Sequence, residues 1–249
     1  CKRLRPMEST TAIDATVHRA AVRGHADLGW LDSYRTFSFG RFYDPERMGF
    51  GALCVLNDDS IAPGEGYGAS PHADVEIVTL PLEGLLRHGD DRGYAAMLAP
   101  GDVQVVSTGS GMLHREYNGS AARPVRYLQL WFRSAGAGFP SRYEQVTLPA
   151  PRRNALRPIV APEEYAHRYV ARIRQRVWIY TLDLDPGRRV EYRLKSPGHG
   201  LYLFVIAGAV GVEATELGAR DGMAVRGAGS LSVEGREPSR VLLVEVPVG

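Results

Sequence analysis

Short apolar or alternating stretches recur along this chain roughly every 8–12 residues, each bounded by Gly, Pro, Asp or Asn. That rhythm leaves no room for long helices and points to an all-β chain. Expected strands cover 50–57, 74–80, 85–88, 94–98, 103–107 and 126–132. After a Pro-rich polar stretch at 148–158 they resume at 169–173, 177–184, 189–194, 201–207, 211–213, 222–225, 229–233 and 240–246. The 28 glycines and 16 prolines supply the turns that so many reversals need. Short strands in this number are best served by closure into barrels, which leaves no free sheet edge. The nearest approach to a helical period lies over 162–175, which opens with Pro162, Glu163 and Glu164 and predicts one short helix.

The stretch at 148–158 divides the chain into two strand-rich halves with the same punctuation. In the first, Leu82-Glu83-Gly84 is followed by Pro100-Gly101-Asp102; in the second, Ile206-Ala207-Gly208 is followed by Arg220-Asp221-Gly222. This internal repeat predicts two similar barrels, 7–145 and 146–249. The longest apolar run, 201–212, is far short of the roughly 20 residues of a spanning helix, so no membrane association is expected. A formal net charge of +2 gives no electrostatic footprint for nucleic acid. Two cysteines, Cys1 and Cys54, cannot build a disulfide framework, and no secretory pattern opens the chain, so a reduced, cytoplasmic protein is expected. Residues 1–6 read as an extension ahead of Met7. Cys54, inside the apolar run 52–56, is expected to be a buried core thiol.

Chemistry concentrates in two segments. Ser70, His72, Asp74 and Glu76 alternate, and on one strand alternate residues share a face. His114 and Glu116 do the same within Gly111–Asn118. Two imidazoles and a carboxylate on neighbouring strands would suit a divalent transition metal, and a two-His, one-carboxylate face suits non-haem Fe(II) and O₂. The same residues also describe ordinary hydrogen-bonded histidines of a barrel. Elsewhere the signals are weaker. Asp90-Asp91-Arg92-Gly93 reads as a solvated turn, and His199 between Gly198 and Gly200 as a turn residue. Gly64-Glu65-Gly66-Tyr67-Gly68 is not followed by a helix, so no nucleotide site is expected. Trp30, Tyr34, Phe37, Phe39, Phe42 and Tyr43 are expected in the core or at a barrel mouth, with one or two lining a pocket for a planar ligand.

Gly64-x5-Ser70-x-His72-x3-Glu76 resembles the first cupin motif with one histidine replaced, and Gly111-x2-His114-x3-Asn118 resembles the end of the second. Arg23-Gly24-His25, Gly29 through Phe39, Tyr43-Asp44-Pro45, Leu56-Asn57-Asp58-Asp59, Pro71 through Thr79 and Pro100 through Gln104 resemble the pirin family, and the likeness continues through about Glu144. It resumes weakly at Asp221-Gly222 and Glu245-Val246-Pro247.

The resemblance implies a bicupin of two antiparallel β-barrels packed face to face, with a metal in the N-terminal barrel and no ligand set in the C-terminal one. Position by position, the family's three histidines and glutamate fall on Ser70, His72, His114 and Glu116, so that Ser70 replaces one ligand. Glu76 is a further candidate donor on the general cupin pattern. Iron is the metal first expected, with nickel, manganese, copper and zinc also suited, and the change at Ser70 predicts weak binding or none. The activity implied is that of a quercetin 2,3-dioxygenase, in which a small aromatic or enolic substrate and O₂ react, with His72, His114 and Glu116 as the catalytic set and Glu116 taking the enol proton. A monomer is expected. Two other readings stay open: a metal-free pocket doing acid–base or rearrangement chemistry, and a regulatory interaction protein.

Overall fold

The computed structural model describes residues 13–248, so residues 1–6 and Cys1 lie outside it. Twelve strands make up the first half: β1 (Asp14–His18), β2 (Gly24–Asp27), β3 (Leu31–Arg35), β4 (Leu53–Ile61), β5 (Gly66–His72), β6 (Val75–Glu83), β7 (Leu86–Asp90), β8 (Ala95–Leu98), β9 (Asp102–Ser107), β10 (Met112–Asn118), β11 (Val125–Arg133) and β12 (Arg142–Thr147). Ten follow: β13 (Leu156–Pro162), β14 (Ala171–Ile173), β15 (Trp178–Leu184), β16 (Arg189–Arg193), β17 (His199–Ala207), β18 (Val210–Val212), β19 (Thr215–Leu217), β20 (Gly222–Arg226), β21 (Ser230–Gly235) and β22 (Ser239–Pro247). Among the described residues no helix is long and apolar enough to cross a membrane.

The strands form two barrels, each a seven-stranded sheet facing a four-stranded one. The first combines β12-β9-β6-β11-β4-β3-β2 with β5-β10-β7-β8, the second β1-β20-β17-β22-β15-β13-β14 with β16-β21-β18-β19. Adding eleven to the strand numbers of the four-stranded sheet in the first barrel gives its counterpart in the second, so the repeat in the sequence is a repeat of topology. The matching glycines serve matching turns. Gly84 after β6 and Gly208 after β17 have φ of 75° and 79°, and a Cβ on either would stand about 2.5 Å or less from a proline carbonyl oxygen.

Three expectations are corrected. β1 pairs with β20, so the first described strand belongs to the second barrel and the division at 145/146 is not a clean one. The helix expected over 162–175 is only a single 3₁₀ turn, Glu163–Tyr165, followed by β14, because β14 finds a parallel partner in β13. Cys54 is only half-buried, its thiol donating to the Trp131 carbonyl at 3.3 Å.

The main core lies between the two large sheets. Leu56, Val78, Leu80, Leu128 and Leu130 from one meet Ile179, Tyr202, Phe204, Leu242 and Val244 from the other. Strand parity then decides what fills each barrel. The opposite face of the second large sheet sends Leu182, Leu201, Leu203, Val241 and Leu243 inward, against Val210, Val212, Leu231 and Val233 of its small sheet, and this interior is mainly aliphatic, with Glu245 buried at one end against Tyr192. In the first barrel the corresponding face presents Asn57, Asp59, Thr79, Gln104 and Gln129, all buried. Where β18 and β21 turn valines and a leucine inward, β7 and β10 turn His88, His114 and Glu116. Buried polar groups cost free energy unless partnered, so the polar barrel is the one that marks a site.

Candidate metal centre in the first barrel

The site is assembled by the register of the small sheet. His114 on β10 stands opposite Ser70 of β5 on one side and Asp90 of β7 on the other, and Glu116 stands opposite His88. Directly opposed residues share a face, so all five of these side chains are directed by one pleat. A bulge between His114 and Glu116 in the β5 pairing adds local twist beside the site.

His88, His114 and Glu116 each bring a ligand atom to within 4.8 Å of the others'. They are 1%, 6% and 4% exposed. Nδ1 of His88, Nδ1 of His114 and Oε1 of Glu116 are buried without a hydrogen-bond partner. Leaving such atoms unpaired costs about 1–3 kcal/mol each, so the trio calls for something to bind it. The donor chemistry fits a divalent transition metal.

The surroundings fix the donors. His88 Nε2–H donates to Asp90 Oδ2 at 3.3 Å, which leaves Nδ1 bare; Asp90 is itself held by the amides of Arg92 and Tyr94, 2.9 and 3.0 Å from Oδ1. A carboxylate behind an imidazole is the usual support of a metal-ligating histidine. Gln129 Nε2 donates to Glu116 Oε2 at 2.9 Å while its Oε1 accepts from the Trp131 indole at 2.9 Å, so one carboxylate oxygen is anchored and the other is free. Burial pushes the Glu116 carboxyl up from its ordinary range, opposed by the Gln129 hydrogen bond and the charge of His88. Burial lowers His114 to about 4, with His88 adding to the effect, and lowers His72 to about 4, with His114 adding. Neutral imidazoles are the form that binds metal.

A cavity of about 110 Å³ opens against His114 and Glu116, with His88 behind them outside its lining. Ser70 and His72 line it, both half-buried, and the His72 ring meets His114 and Trp131 edge to face at 4.7 and 4.9 Å. Asn57 and Asp59 of β4 line another part, and Phe39, Tyr67 and Trp131 contribute aromatic surface. Burial pushes Asp59 up to about 7, against a hydrogen bond from Ser33.

Of the residues singled out from sequence, His72, His114, Glu116 and Ser70 therefore share this cavity. Glu76 does not. The chain turns at Asp74, whose φ is 53°, so Glu76 begins a new strand and the alternation from Ser70 does not carry through. On β6 it shares parity with Val78 and Leu80 and faces the second barrel, where its carboxylate accepts from Ser107 Oγ at 2.6 Å, Arg174 N at 3.0 Å and Gln175 N at 2.7 Å. It ties the barrels together and is not a donor to the centre. His199, expected in a turn, opens β17 and lies 3.2 Å from Glu245, a buried carboxylate that also takes Tyr192 OH and the Lys195 and Ser196 amides. His88 is the residue sequence reasoning missed. Its signal was the alternation Leu86, His88, Asp90, hidden by ending the expected strand at 88 and assigning Asp90 to a loop.

The sequence models of two families match: pirin over residues 16–132 and the quercetinase C-terminal cupin domain over residues 159–246. A quercetin 2,3-dioxygenase of Escherichia coli (strain K12) is 34% identical over 231 residues, covering 93% of this chain and 98% of the relative. This chain belongs to the pirin family. A pirin-like protein of Caulobacter vibrioides is also 34% identical, over 89% of this chain and 95% of its own. The fold of this pirin matches that of YhhW from Escherichia coli with a TM-score of 0.90 at 32% identity, covering 95% of this chain and 99% of that one. It matches the bacterial pirin YhhW in complex with nickel(II) with a TM-score of 0.89 over 95% and 100% of the two chains.

Proposed function

We propose that this pirin is a metal-dependent dioxygenase that opens an aromatic enol of the flavonol kind, with His88, His114 and Glu116 holding the metal and His72 beside them. The observation that carries this reading is the trio of buried donors left unpartnered, two of which, His114 and Glu116, line a cavity. A divalent ion there would supply Lewis-acid polarisation of the substrate's enol hydroxyl and redox contact with O₂. The protein's own part is orientation and proton handling. Glu116, its Oε2 anchored by Gln129, is the carboxylate of the trio and the group placed to take the enol proton, and its raised basicity suits that role. Phe39 and Trp131 offer aromatic walls to a planar ring, and the barrel interior keeps bulk water from reactive species. The curated Escherichia coli relative of that name supports the activity, and the nickel(II) complex of YhhW makes nickel, with iron, the metal to try first.

The test is reconstitution of metal-stripped protein with Fe(II) or Ni(II), followed by O₂ uptake and carbon monoxide release with quercetin. Equal consumption of O₂ and quercetin, lost in Glu116→Gln, is expected. Metal-loaded protein that consumes no O₂ with quercetin or with smaller enols would end the dioxygenase reading.

Ser70, where a further imidazole would stand, favours one second reading: a metal-free pocket in which Glu116 and the histidines act as acid and base. Elemental analysis of protein purified without chelator separates the two. That reading requires metal-free protein that turns over a substrate, and the first requires metal.

A further inference from the structure

Beyond the donors to the metal, the cavity contains a second pair of unpartnered polar atoms. Oδ1 of Asn57 and Oδ1 of Asp59 are buried and make no hydrogen bond within the protein. The two residues are 3% exposed, stand two apart on β4 and line the same cavity as His114 and Glu116. Among the described residues no cation is hydrogen-bonded to either: Arg35, opposite Asn57 in the β3–β4 register, gives one guanidinium N–H to the Phe39 carbonyl at 3.0 Å, and only its charge reaches Asp59. In the second barrel the matching strand β15 carries Leu182 and Leu184 inward, so a polar wall is not a demand of the fold.

We propose that Asn57 and Asp59 form the wall that selects the substrate, and that they receive the hydroxyl groups of a single ring-sized fragment. This rests on the reading of the cavity as a substrate site, although not on the metal. Two unpartnered oxygens on residues two apart along β4 call for O–H donors, which a dihydroxylated ring such as catechol carries. Methyl ethers at the same positions would leave both acceptors unpaired and carry bulk against them. The cavity, about 110 Å³ against the roughly 150 Å³ that accepts benzene in an engineered protein core, sets an upper limit of one ring on the part of the substrate that enters. Phe39, Tyr67 and Trp131 give that ring aromatic neighbours. The indole N–H of Trp131 is already given to Gln129 and is not free to donate to the ring's oxygens.

The experiment is calorimetric titration of metal-stripped protein, without O₂, with catechol and with 1,2-dimethoxybenzene. Catechol is expected to bind at least 10-fold more tightly, about one hydrogen bond's worth of discrimination. Asn57→Leu and Asp59→Leu are each expected to reduce that preference toward unity, while the thermal midpoint holds or rises because an unpaired buried polar atom has been removed. Equal binding of the two ligands, or no binding of either, overturns the proposal. So does a preference that survives both substitutions. The comparison of ligands on the unsubstituted protein stands even where a variant does not fold. Because the protein is stripped, failure of this test and failure of the metal reading are separate results.

Discussion

Ser70→His is the substitution that bears most directly on how the centre is built. Ser70 stands opposite His114 across the β5–β10 ladder, so their Cβ atoms lie about 4.5–5.5 Å apart and on the same face. An imidazole at position 70 would therefore enter the cavity next to His114, where the serine hydroxyl offers only a weak neutral donor. Changes in groups that merely support a ligand alter metal affinity by about 10–100-fold, and a new ligand should gain at least 10-fold, or about 1.4 kcal/mol. The assay is chelator competition with Ni(II) on four proteins: unsubstituted, Ser70→His, His88→Ala and the double variant. His88→Ala should cost more when serine is kept at position 70 than when it is combined with Ser70→His, because a fourth imidazole makes His88 less necessary. Ser70→Phe, which adds bulk without a donor, serves as the control for filling the cavity. If Ser70→His gains no affinity, or gains no more than Ser70→Phe, the geometry argued for position 70 is wrong.

Other consequences reach beyond the centre. Glu76→Ala removes a carboxylate that accepts three hydrogen bonds and leaves two backbone amides unpaired, so it should destabilise the protein by about 2–5 kcal/mol in urea denaturation while Ni(II) affinity stays unchanged. Gln129→Leu releases Oε2 of Glu116 and should weaken Ni(II) binding about 10-fold, as read by the same competition, with little change in the far-ultraviolet circular dichroism. His18, lowered to about 4 mainly by burial and then by Arg47, binds a proton less readily folded than unfolded. Its contribution to stability is complete above its ordinary value of 6.5 and is lost as pH falls toward 4, by at most about 3 kcal/mol. Urea midpoints at pH 7.5 and pH 5 should thus differ less in His18→Phe than in the unsubstituted protein, and an undiminished difference would place the sensitivity elsewhere.

The parts of the fold that local chemistry dictates were legible in the sequence. Gly84 and Gly208 mark equivalent turns because both need positive φ and both pack against carbonyl oxygens, and the repeat they punctuate is the repeat of barrels. His114 and Glu116 were legible as one face because they lie within a single uninterrupted strand. Parity misled where the strand was not continuous. Asp74 reverses the chain, so Glu76 could not be read from Ser70, and Asp90 belonged to the strand that was ended two residues too soon. The destination of β1 was hidden for a different reason. Its partner β20 is some two hundred residues away, and no local preference encodes a pairing over that distance. Nor does composition say which barrel is polar inside; that emerges only when parity is set against the shared core, which takes Leu128 and Leu130 and leaves Tyr127, Gln129 and Trp131 to the interior.

The central claim is that the first barrel holds one divalent transition metal through His88, His114 and Glu116. Its most direct test is a calorimetric titration of metal-stripped protein with Ni(II) near pH 7.5. The account predicts a single saturable site per chain that disappears in His114→Ala. Heats that show no saturable site, or a site that persists unchanged without His114, would contradict it.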